Sequence, residues 1–429
     1  MRGRNPTRRR VLHAGSLTAT TVLAGCTLPR SNPSNPESKR FLEFEEVDER
    51  FRERTESVYE RVVELADAEL AASTTVRLID RTEMRELASP TGLFGETTTQ
   101  RLAHRALGLI EDLDASVPFE FSGAYFSGSR EVIFVATDAE TVDDQLIAHE
   151  LLHAVQFQEG GASEWDHGWS TGFDRHKAQR SLVEGTAQFL EDEYVGGCDG
   201  EFSDCRLRNA AAANAAGWDE EWLLAFGPYV NGHDFAAALA DRGGWEAVWD
   251  AHEAPPTHTG QVLKPEWYPD REPADVAVED ESNEEWELLD RERLGMQSAF
   301  ATLWHARALP YEEVYADEDT DEDEVFTGLV RYRSAETDAW RGDEFVAHER
   351  EDGRYGWQWT LRWADSAAAE DAYELFRVWA DERGEATDDD GVWERETGTE
   401  ALALDGEELL VGSAPETDAL ETLSPALGE

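Results

Sequence analysis

The sequence predicts an α+β protein in two parts, on three observations. Apolar residues recur at helical spacing in several segments, for example over residues 44–65. Other segments, such as 354–364, alternate apolar and polar residues as half-buried strands do. The composition becomes acidic and proline-containing over residues 270–285, and no repeat at a fixed period is present. We therefore expect a first domain over 41–275 and a smaller α+β module over 284–429.

The charge of the chain is strongly negative. It has 38 Lys+Arg against 93 Asp+Glu, a net charge of −55, and only three lysines. Its 15 Trp, 18 Phe and 10 Tyr argue against a disordered acidic protein, because disordered chains are poor in aromatic residues. An acidic coat repels itself at low salt and is screened at molar salt, where the Debye length is about 3 Å. The composition therefore predicts a folded halophilic protein, and the lack of a basic patch argues against nucleic acid as a partner.

The N-terminus has the features of an export signal. Basic residues precede a mildly apolar stretch, 11–25, that is too short and too polar to span a membrane. The sequence TRRRVL resembles a twin-arginine signal, and LAGC, which ends at Cys26, resembles a lipobox. We expect residues 1–26 to be a lipoprotein signal, with the lipid on Cys26 anchoring the protein at the outer face of the cytoplasmic membrane. The alternative is an ordinary cleaved signal with an incidental cysteine. Residues 27–40, rich in Pro, Ser and Asn, predict a flexible tether.

Two further cysteines, Cys198 and Cys205, bracket a loop that contains glycine and aspartate. In an exported protein an even pair of cysteines at this spacing predicts a disulfide. Two free thiols, or half of a metal site, are the alternatives. The chain has no second pair of cysteines to complete a four-cysteine metal site.

The elements of the two parts follow from hydrophobic periodicity. For the first domain it predicts helices over about 41–71, 102–113 and 181–194, two short helices within 226–268, a strand over 74–80, and a hairpin over 121–137 whose second strand is 131–136. For the module it predicts helices over 286–309 and 366–381, and strands over 325–334, 343–351 and 354–364. A further helix is expected after the acidic segment TDAETVDD, which suits a helix N-terminus.

That helix has the sequence DDQLIAHELLHAVQFQ. His149 and His153 are four residues apart, so their side chains lie on one face and can bind one metal ion. Glu150 directly follows the first histidine, in the position of the general base of zinc peptidases. The alternative is an amphipathic helix that carries two histidines by chance.

A zinc site that catalyses a reaction needs a third protein ligand. A glycine and a histidine in the places of Gln156 and Glu159 would have indicated the metzincin pattern, which the chain therefore lacks. His167 and His176 lie in a predicted loop rich in Trp and Gly, without a regular element to position them. Glu184 lies on the next predicted helix and is followed by the small residues Gly185 and Ala187, which would let this helix pack closely. We favour Glu184 as the third ligand.

The combination of AHELLHAVQFQ, LVEGTAQFLEDEY and PPTHTGQVLKPEWY resembles gluzincin-like zinc metallopeptidase-type proteins. It is most similar to a haloarchaeal group of surface lipoproteins exported by the twin-arginine route. The resemblance covers about 120–270 well and the remainder more loosely. It implies a zincin-like domain with His149, His153 and Glu184 as zinc ligands and Glu150 as base. Thermolysin-like members carry Asn-Glu-x-x-Ser-Asp at the third ligand, where this chain has VEG, so the fold carries over more safely than any substrate.

The motif and the resemblance together predict a zinc metallopeptidase that cleaves a peptide or protein substrate. Tyr229 and His233 are candidates to stabilise the oxyanion, the alternatives being a packed tyrosine and a surface histidine. Gln188, on the helix face of Glu184, is a candidate to orient a ligand. One alternative function is a non-catalytic surface-binding or envelope lipoprotein with a zincin fold; another is a zinc-free surface lipoprotein. The presence of Glu150 favours catalysis, because a purely structural site needs no base.

Overall fold

The computed structural model describes residues 41–87, 97–110, 113, 122–164, 171–198, 200, 202–207, 220–309 and 332–427. Within these residues the chain is a mixture of helices and two β-sheets, which confirms the predicted α+β class. The signal and tether segments with Cys26, the loop residue His167, and most of the predicted strand 325–334 lie outside the described residues. No helix in the described part of the chain is both long and apolar enough to cross a membrane.

The first sheet has four strands, in the order β1-β2-β4-β3. Its strands are β1 (Leu42–Glu45), β2 (Thr74–Ile79), β3 (Gly123–Phe126) and β4 (Glu131–Val135). The strands β1, β2 and β4 are parallel, while β3 pairs antiparallel with β4 and forms an edge of the sheet. The predicted strand at 74–80 and the predicted hairpin are therefore confirmed.

Several helices accompany this sheet in the described residues. They are α1 (Glu49–Ala66), α2 (Arg81–Leu87), α3 (Thr98–Ala106), α4 (Asp144–Gln158), α5 (Phe173–Cys198), α6 (Glu220–Glu253) and α7 (Thr259–Leu263). Non-helical backbone at Gly243 and Gly244 divides α6 into two helical segments across a kink. The helix predicted over 41–71 is wrong at its start, because Leu42 and its neighbours pair with β2 instead. The helix α1 begins only after Asp48, whose side chain accepts a hydrogen bond from Phe51 N at 2.8 Å.

The second sheet has seven antiparallel strands, in the order β5-β6-β7-β11-β10-β9-β8. They are β5 (Trp286–Glu292), β6 (Trp340–Arg350), β7 (Tyr355–Trp363), β8 (Glu385–Ala386), β9 (Val392–Arg395), β10 (Gly398–Asp405) and β11 (Glu408–Ala414). The helices α8 (Gly295–His305), α9 (Ser366–Arg383) and α10 (Thr417–Leu423) belong to this part. The strands predicted over 343–351 and 354–364 and the helix predicted over 366–381 are confirmed.

The helix predicted over 286–309 is wrong in its first third. Residues Trp286–Glu292 form β5, which pairs with β6, and the helix begins only at Gly295. Gly295 has a φ of +85°, and its N–H donates to the carboxylate of Asp343 at 3.0 Å. The turn between strand and helix thus depends on a residue that accepts a left-handed backbone.

The largest apolar core joins the two parts of the chain. Trp340, Trp359 and Trp379 of the second part belong to one buried cluster together with Leu102 of α3 and Leu263 of α7. The predicted boundary between 275 and 284 lies in a segment without helix or strand. Apolar packing therefore continues across this segment.

The predicted disulfide is present. Cys198 and Cys205 are bonded and close a loop at the end of α5. Just after this loop, Arg206 N donates to Asp144 Oδ2 at 2.8 Å and Asp144 N donates to Arg206 O at 2.8 Å. Arg54 of α1 also binds Asp144, through Nε at 2.8 Å. The loop and α1 are thus tied to the first turn of α4, the helix that carries the two histidines.

Candidate metal centre

Three ligand side chains predicted from the sequence meet in the structure. His153 Nε2 lies 3.3 Å and His149 Nε2 lies 3.5 Å from Glu184 Oε2. All three residues are buried. In a tetrahedral zinc site with bonds of about 2.0–2.1 Å, two ligand atoms lie about 3.3–3.4 Å apart. The spacing therefore fits, and the group could hold one metal ion.

Local structure explains how the three ligands meet. His149 and His153 are one turn apart on α4, and their ring centroids are 4.6 Å apart. Glu184 is brought to them by α5, which packs against α6 at Gly185 and Gly232. A Cβ at Gly185 would lie 1.9 Å from the carbonyl carbon of Gly232, so a side chain cannot fit there. The small residues expected beside Glu184 thus have their packing role, with α6 as the partner.

The outer nitrogen of His149 is hydrogen-bonded to a carboxylate. His149 Nδ1 lies 2.7 Å from Glu191 Oε1, and a carboxylate can only accept. The Nδ1 atom therefore carries the proton in this contact. In the neutral imidazole the lone pair is then on Nε2, which faces Glu184.

The outer nitrogen of His153 is held by a chain of hydrogen bonds. His153 Nδ1 lies 2.7 Å from Gln156 Oε1, and Gln156 Nε2 donates to the carbonyl of Val183 at 2.9 Å. The same amide nitrogen lies 3.2 Å from His252 Nε2, and His252 Nδ1 donates to Val248 O at 2.9 Å. The amide oxygen of Gln156 can only accept, so His153 Nδ1 carries the proton in this contact. The lone pair of His153 Nε2 therefore also faces the site.

Glu150 lies beside the three candidate ligands. It is 0% exposed, and neither oxygen has a hydrogen-bond partner among the described residues. Burial raises its pKa to about 7, and the nearby histidines reduce this effect. The edge strand β3 passes over it at Gly123, where a Cβ would lie 2.9 Å from Glu150 Oε1. A carboxyl group with a pKa near 7 can both accept and return a proton at neutral pH.

The ligands influence one another's protonation. Burial alone would lower the pKa of His149, but the carboxylates of Glu184 and Glu191 raise it to about 10. Burial would raise the pKa of Glu184, but His149 and His153 hold it well below its usual range. In the metal-free protein the opposite charges therefore stabilise each other, and a metal ion must displace a proton from His149 to bind.

The two predicted oxyanion-stabilising residues have different surroundings. The ring of Tyr229 stacks on His149 with a centroid distance of 6.1 Å, and burial, followed by the charge of Glu184, raises its pKa well above the usual value. His233 instead contacts Asp192 at 2.9 Å and Asp234 at 3.3 Å. The structure thus brings Tyr229 to the ligands, while the catalytic role of His233 stays a prediction.

Three other residues weighed for the site lie apart from this group. His176 is on α5, so the loop predicted around it is wrong at this position, and Glu159 directly follows the last residue of α4. Neither belongs to the three-ligand group. Gln188 is buried on α5, and its predicted role in orienting a ligand stays a prediction. The side chains that hydrogen-bond the two histidines are Glu191 and Gln156.

Arg180 is a site residue that the sequence analysis missed. Its Nε lies 3.6 Å from Glu184 Oε1. The other oxygen of this carboxylate, Oε2, faces the two histidines. Arg180 precedes Glu184 by four residues on α5, so helical spacing alone could have indicated it.

Comparisons with known proteins concern the second part of the chain. A family model described as a domain of unknown function (DUF8575) matches residues 286–424. This segment lies after Glu253, the last residue of α6, and contains none of the metal-centre residues. No match was found among curated proteins or among solved structures.

Proposed function

We propose that this protein is a zinc metallopeptidase with a gluzincin-like site, in which His149, His153 and Glu184 hold the zinc ion. The observation that carries the proposal is the three-ligand group beside the free carboxyl group of Glu150. A structural zinc site is normally closed by four protein ligands, whereas a catalytic site has three and leaves one position open.

The residues around the ligands have suitable chemistry for peptide hydrolysis. A bound zinc ion would polarise the scissile carbonyl and lower the pKa of water to about 7. Glu150 would accept a proton from the attacking water and deliver it to the leaving amine. A C–O bond forms at the carbonyl carbon and the C–N bond breaks, which yields a carboxylic acid and an amine. The hydroxyl of Tyr229 is the proposed donor to the tetrahedral oxygen.

The edge strand β3 supports a peptide as substrate. In the described sheet β3 pairs on one side only, with β4, so its other edge can pair with an extended chain. Gly123 on this strand lies directly against Glu150. A peptide added to this edge would therefore pass close to the proposed base, which is the arrangement expected of a zincin-like domain.

We also propose that the protein works outside the cytoplasmic membrane, anchored by a lipid on Cys26. The TRRRVL and LAGC sequences support this location. The disulfide between Cys198 and Cys205 agrees with it, because disulfides persist in oxidising compartments.

A non-catalytic zinc-binding surface lipoprotein is the second candidate. The observation in its favour is burial, since the exposed fraction is 2% for His149, 0% for His153 and 1% for Glu184. Structural zinc sites are closed in this way. The two candidates differ in whether Glu150 transfers protons.

The test is a zinc measurement combined with a cleavage assay. Residues 27–429 are purified in molar salt, and zinc is measured by mass spectrometry in the wild type, His153→Ala, Glu184→Ala and Glu150→Gln. We expect a single zinc per chain, lost in the first two variants and kept in the third, and cleavage of a peptide library by the wild type alone. Zinc without cleavage would favour the binding protein, and a folded wild type without zinc would refute both candidates.

A further inference from the structure

Arg180 carries hydrogen-bond donors beside the candidate metal centre that no described residue accepts from. Its Nε and Nη2 atoms are buried, and neither has a hydrogen-bond partner among the described residues. The side chain is 14% exposed. A buried guanidinium donor without an acceptor is costly, so donors of this kind are normally satisfied. The unsatisfied donors of Arg180 lie next to the proposed zinc ligand Glu184.

The contact between Arg180 and Glu184 does not satisfy these donors. At 3.6 Å the Nε–Oε1 distance is an ion pair but is too long for a hydrogen bond. Arg180 is thus a fixed cation next to the third ligand, with N–H groups left for another acceptor.

We propose that Arg180 binds a carboxylate of the substrate, so that the site selects peptides with a carboxylate within one or two residues of the cleaved bond. This inference rests on the proposed peptidase function. The planar guanidinium matches a carboxylate in geometry as well as in charge.

The place of Arg180 limits where this carboxylate lies along the substrate. Glu184 places one oxygen at the histidines and the other 3.6 Å from Arg180 Nε, so the guanidinium is close to the position of the metal. A peptide advances by at most about 3.3–3.6 Å per residue. A carboxylate on Arg180 therefore belongs to a residue close to the carbonyl under attack. It is either the free C-terminus of a short peptide product or an acidic side chain next to the cleaved bond.

The experiment measures peptide binding without turnover. The zinc-loaded Glu150→Gln protein is titrated by calorimetry, in molar salt, with one short peptide in three forms: the free acid, the C-terminal amide, and the amide with glutamate as its last residue. The same titrations are made after adding Arg180→Gln, Arg180→Lys or Arg175→Gln. Arg175 is the matched control, because it is an exposed arginine on the same helix. Zinc content is measured in every variant.

We expect a carboxylate-bearing form to bind about 10- to 100-fold more tightly than the plain amide, as charge-assisted hydrogen bonds predict. Arg180→Gln should abolish this preference and keep zinc, Arg180→Lys should keep part of it, and Arg175→Gln should keep all of it. Tighter binding of the free acid identifies the C-terminus as the source, and tighter binding of the glutamate amide identifies a side chain.

Equal binding of all three forms, or a preference that survives Arg180→Gln, would overturn the proposal. Loss of zinc from both Arg180→Gln and Arg180→Lys would also overturn it, because Arg180 would then serve only to hold Glu184. The outcome is distinguishable from failure of the peptidase function. If the Arg180-dependent preference is observed but no peptide is ever cleaved, the proposed carboxylate site is supported and the proposed peptidase activity is refuted.

Discussion

Two glutamates in different parts of the molecule are equally buried and have opposite surroundings. Glu400 on β10 is 0% exposed, and its Oε1 accepts a hydrogen bond from Arg383 Nη2 at 2.9 Å and also pairs with Arg395. Glu150 on α4 is also 0% exposed, yet neither of its oxygens has a hydrogen-bond partner among the described residues.

The difference distinguishes a buried carboxylate that stabilises the fold through ion pairs from one that is proposed to transfer protons. The arginines around Glu400 come from α9 and β9, so the ionic group fixes these elements against the sheet. A buried carboxyl group that accepts no hydrogen bond from the described residues, such as that of Glu150, costs free energy by desolvation. The proposed metal site and reaction would explain its placement.

Among the substitutions that test this comparison, Glu150→Gln should have the largest effect, on peptide cleavage. We expect peptide cleavage to fall by about a thousandfold, because the base is lost, while the free energy of unfolding stays equal or rises. Activity assays and urea unfolding in molar salt check both parts. Glu159→Gln, an exposed change just after the same helix, is the control. Cleavage that persists in Glu150→Gln would contradict the proposed base.

Glu400→Gln should show the reverse pattern. Removing one partner of a buried ionic group leaves the charges of Arg383 and Arg395 without their counter-ion, at a cost of about 3–5 kcal/mol. We expect the zinc content to stay unchanged. Urea unfolding measures the cost, and Glu394→Gln, an exposed change on β9, serves as the control. A loss of less than about 1 kcal/mol would show that the group contributes little.

The buried carboxyl group of Asp343 predicts that the free energy of unfolding depends on pH. Burial, and next the charge of Asp174, raise its pKa to about 6 from an ordinary value near 4. Because the folded-state pKa is the higher one, the folded protein binds the proton more tightly. The contribution to stability is present at pH 4 and is lost as pH rises through 6, by about 3 kcal/mol. Comparing urea unfolding at pH 4 and pH 7 in the wild type and Asp343→Asn should show a flatter profile in the variant.

The smallest expected effect concerns the residues behind the ligands. Glu191→Ala removes the acceptor of His149 Nδ1 and should weaken zinc binding by about 10- to 100-fold. Competition with a chromophoric chelator measures this affinity. Asp192→Ala is the neighbouring control, because Asp192 contacts His233 instead of a ligand. Equal zinc affinities in the two variants would show that Glu191 does not contribute to metal binding.

Much of the metal centre could be predicted from the sequence, because helical spacing decides most of it. His149 and His153 share a face at a separation of four residues, and Glu184 belongs to the next predicted helix. The role of Gln156 could not be foreseen, since its amide is oriented by His252, which is 96 residues away in the chain. Contacts between distant segments leave no periodic signal.

The fold was predicted less well where local patterns conflict with tertiary pairing. Trp286–Glu292 fits a helical pattern, but its residues find partners on β6 and form a strand. The start of the chain behaves in the same way, since Leu42–Glu45 pairs with β2. Strong alternation without such a conflict, as in β7, was predicted correctly.

The core shared by the two parts has a practical consequence for dissecting the protein. Cutting the chain near residue 284 would expose the faces of Trp340 and Trp359 that pack in one cluster with Leu102 and Leu263. Each fragment would then present a large apolar surface to water and tend to aggregate. Co-expression of the two fragments should restore solubility by complementation, because each supplies the missing half of the other's interior.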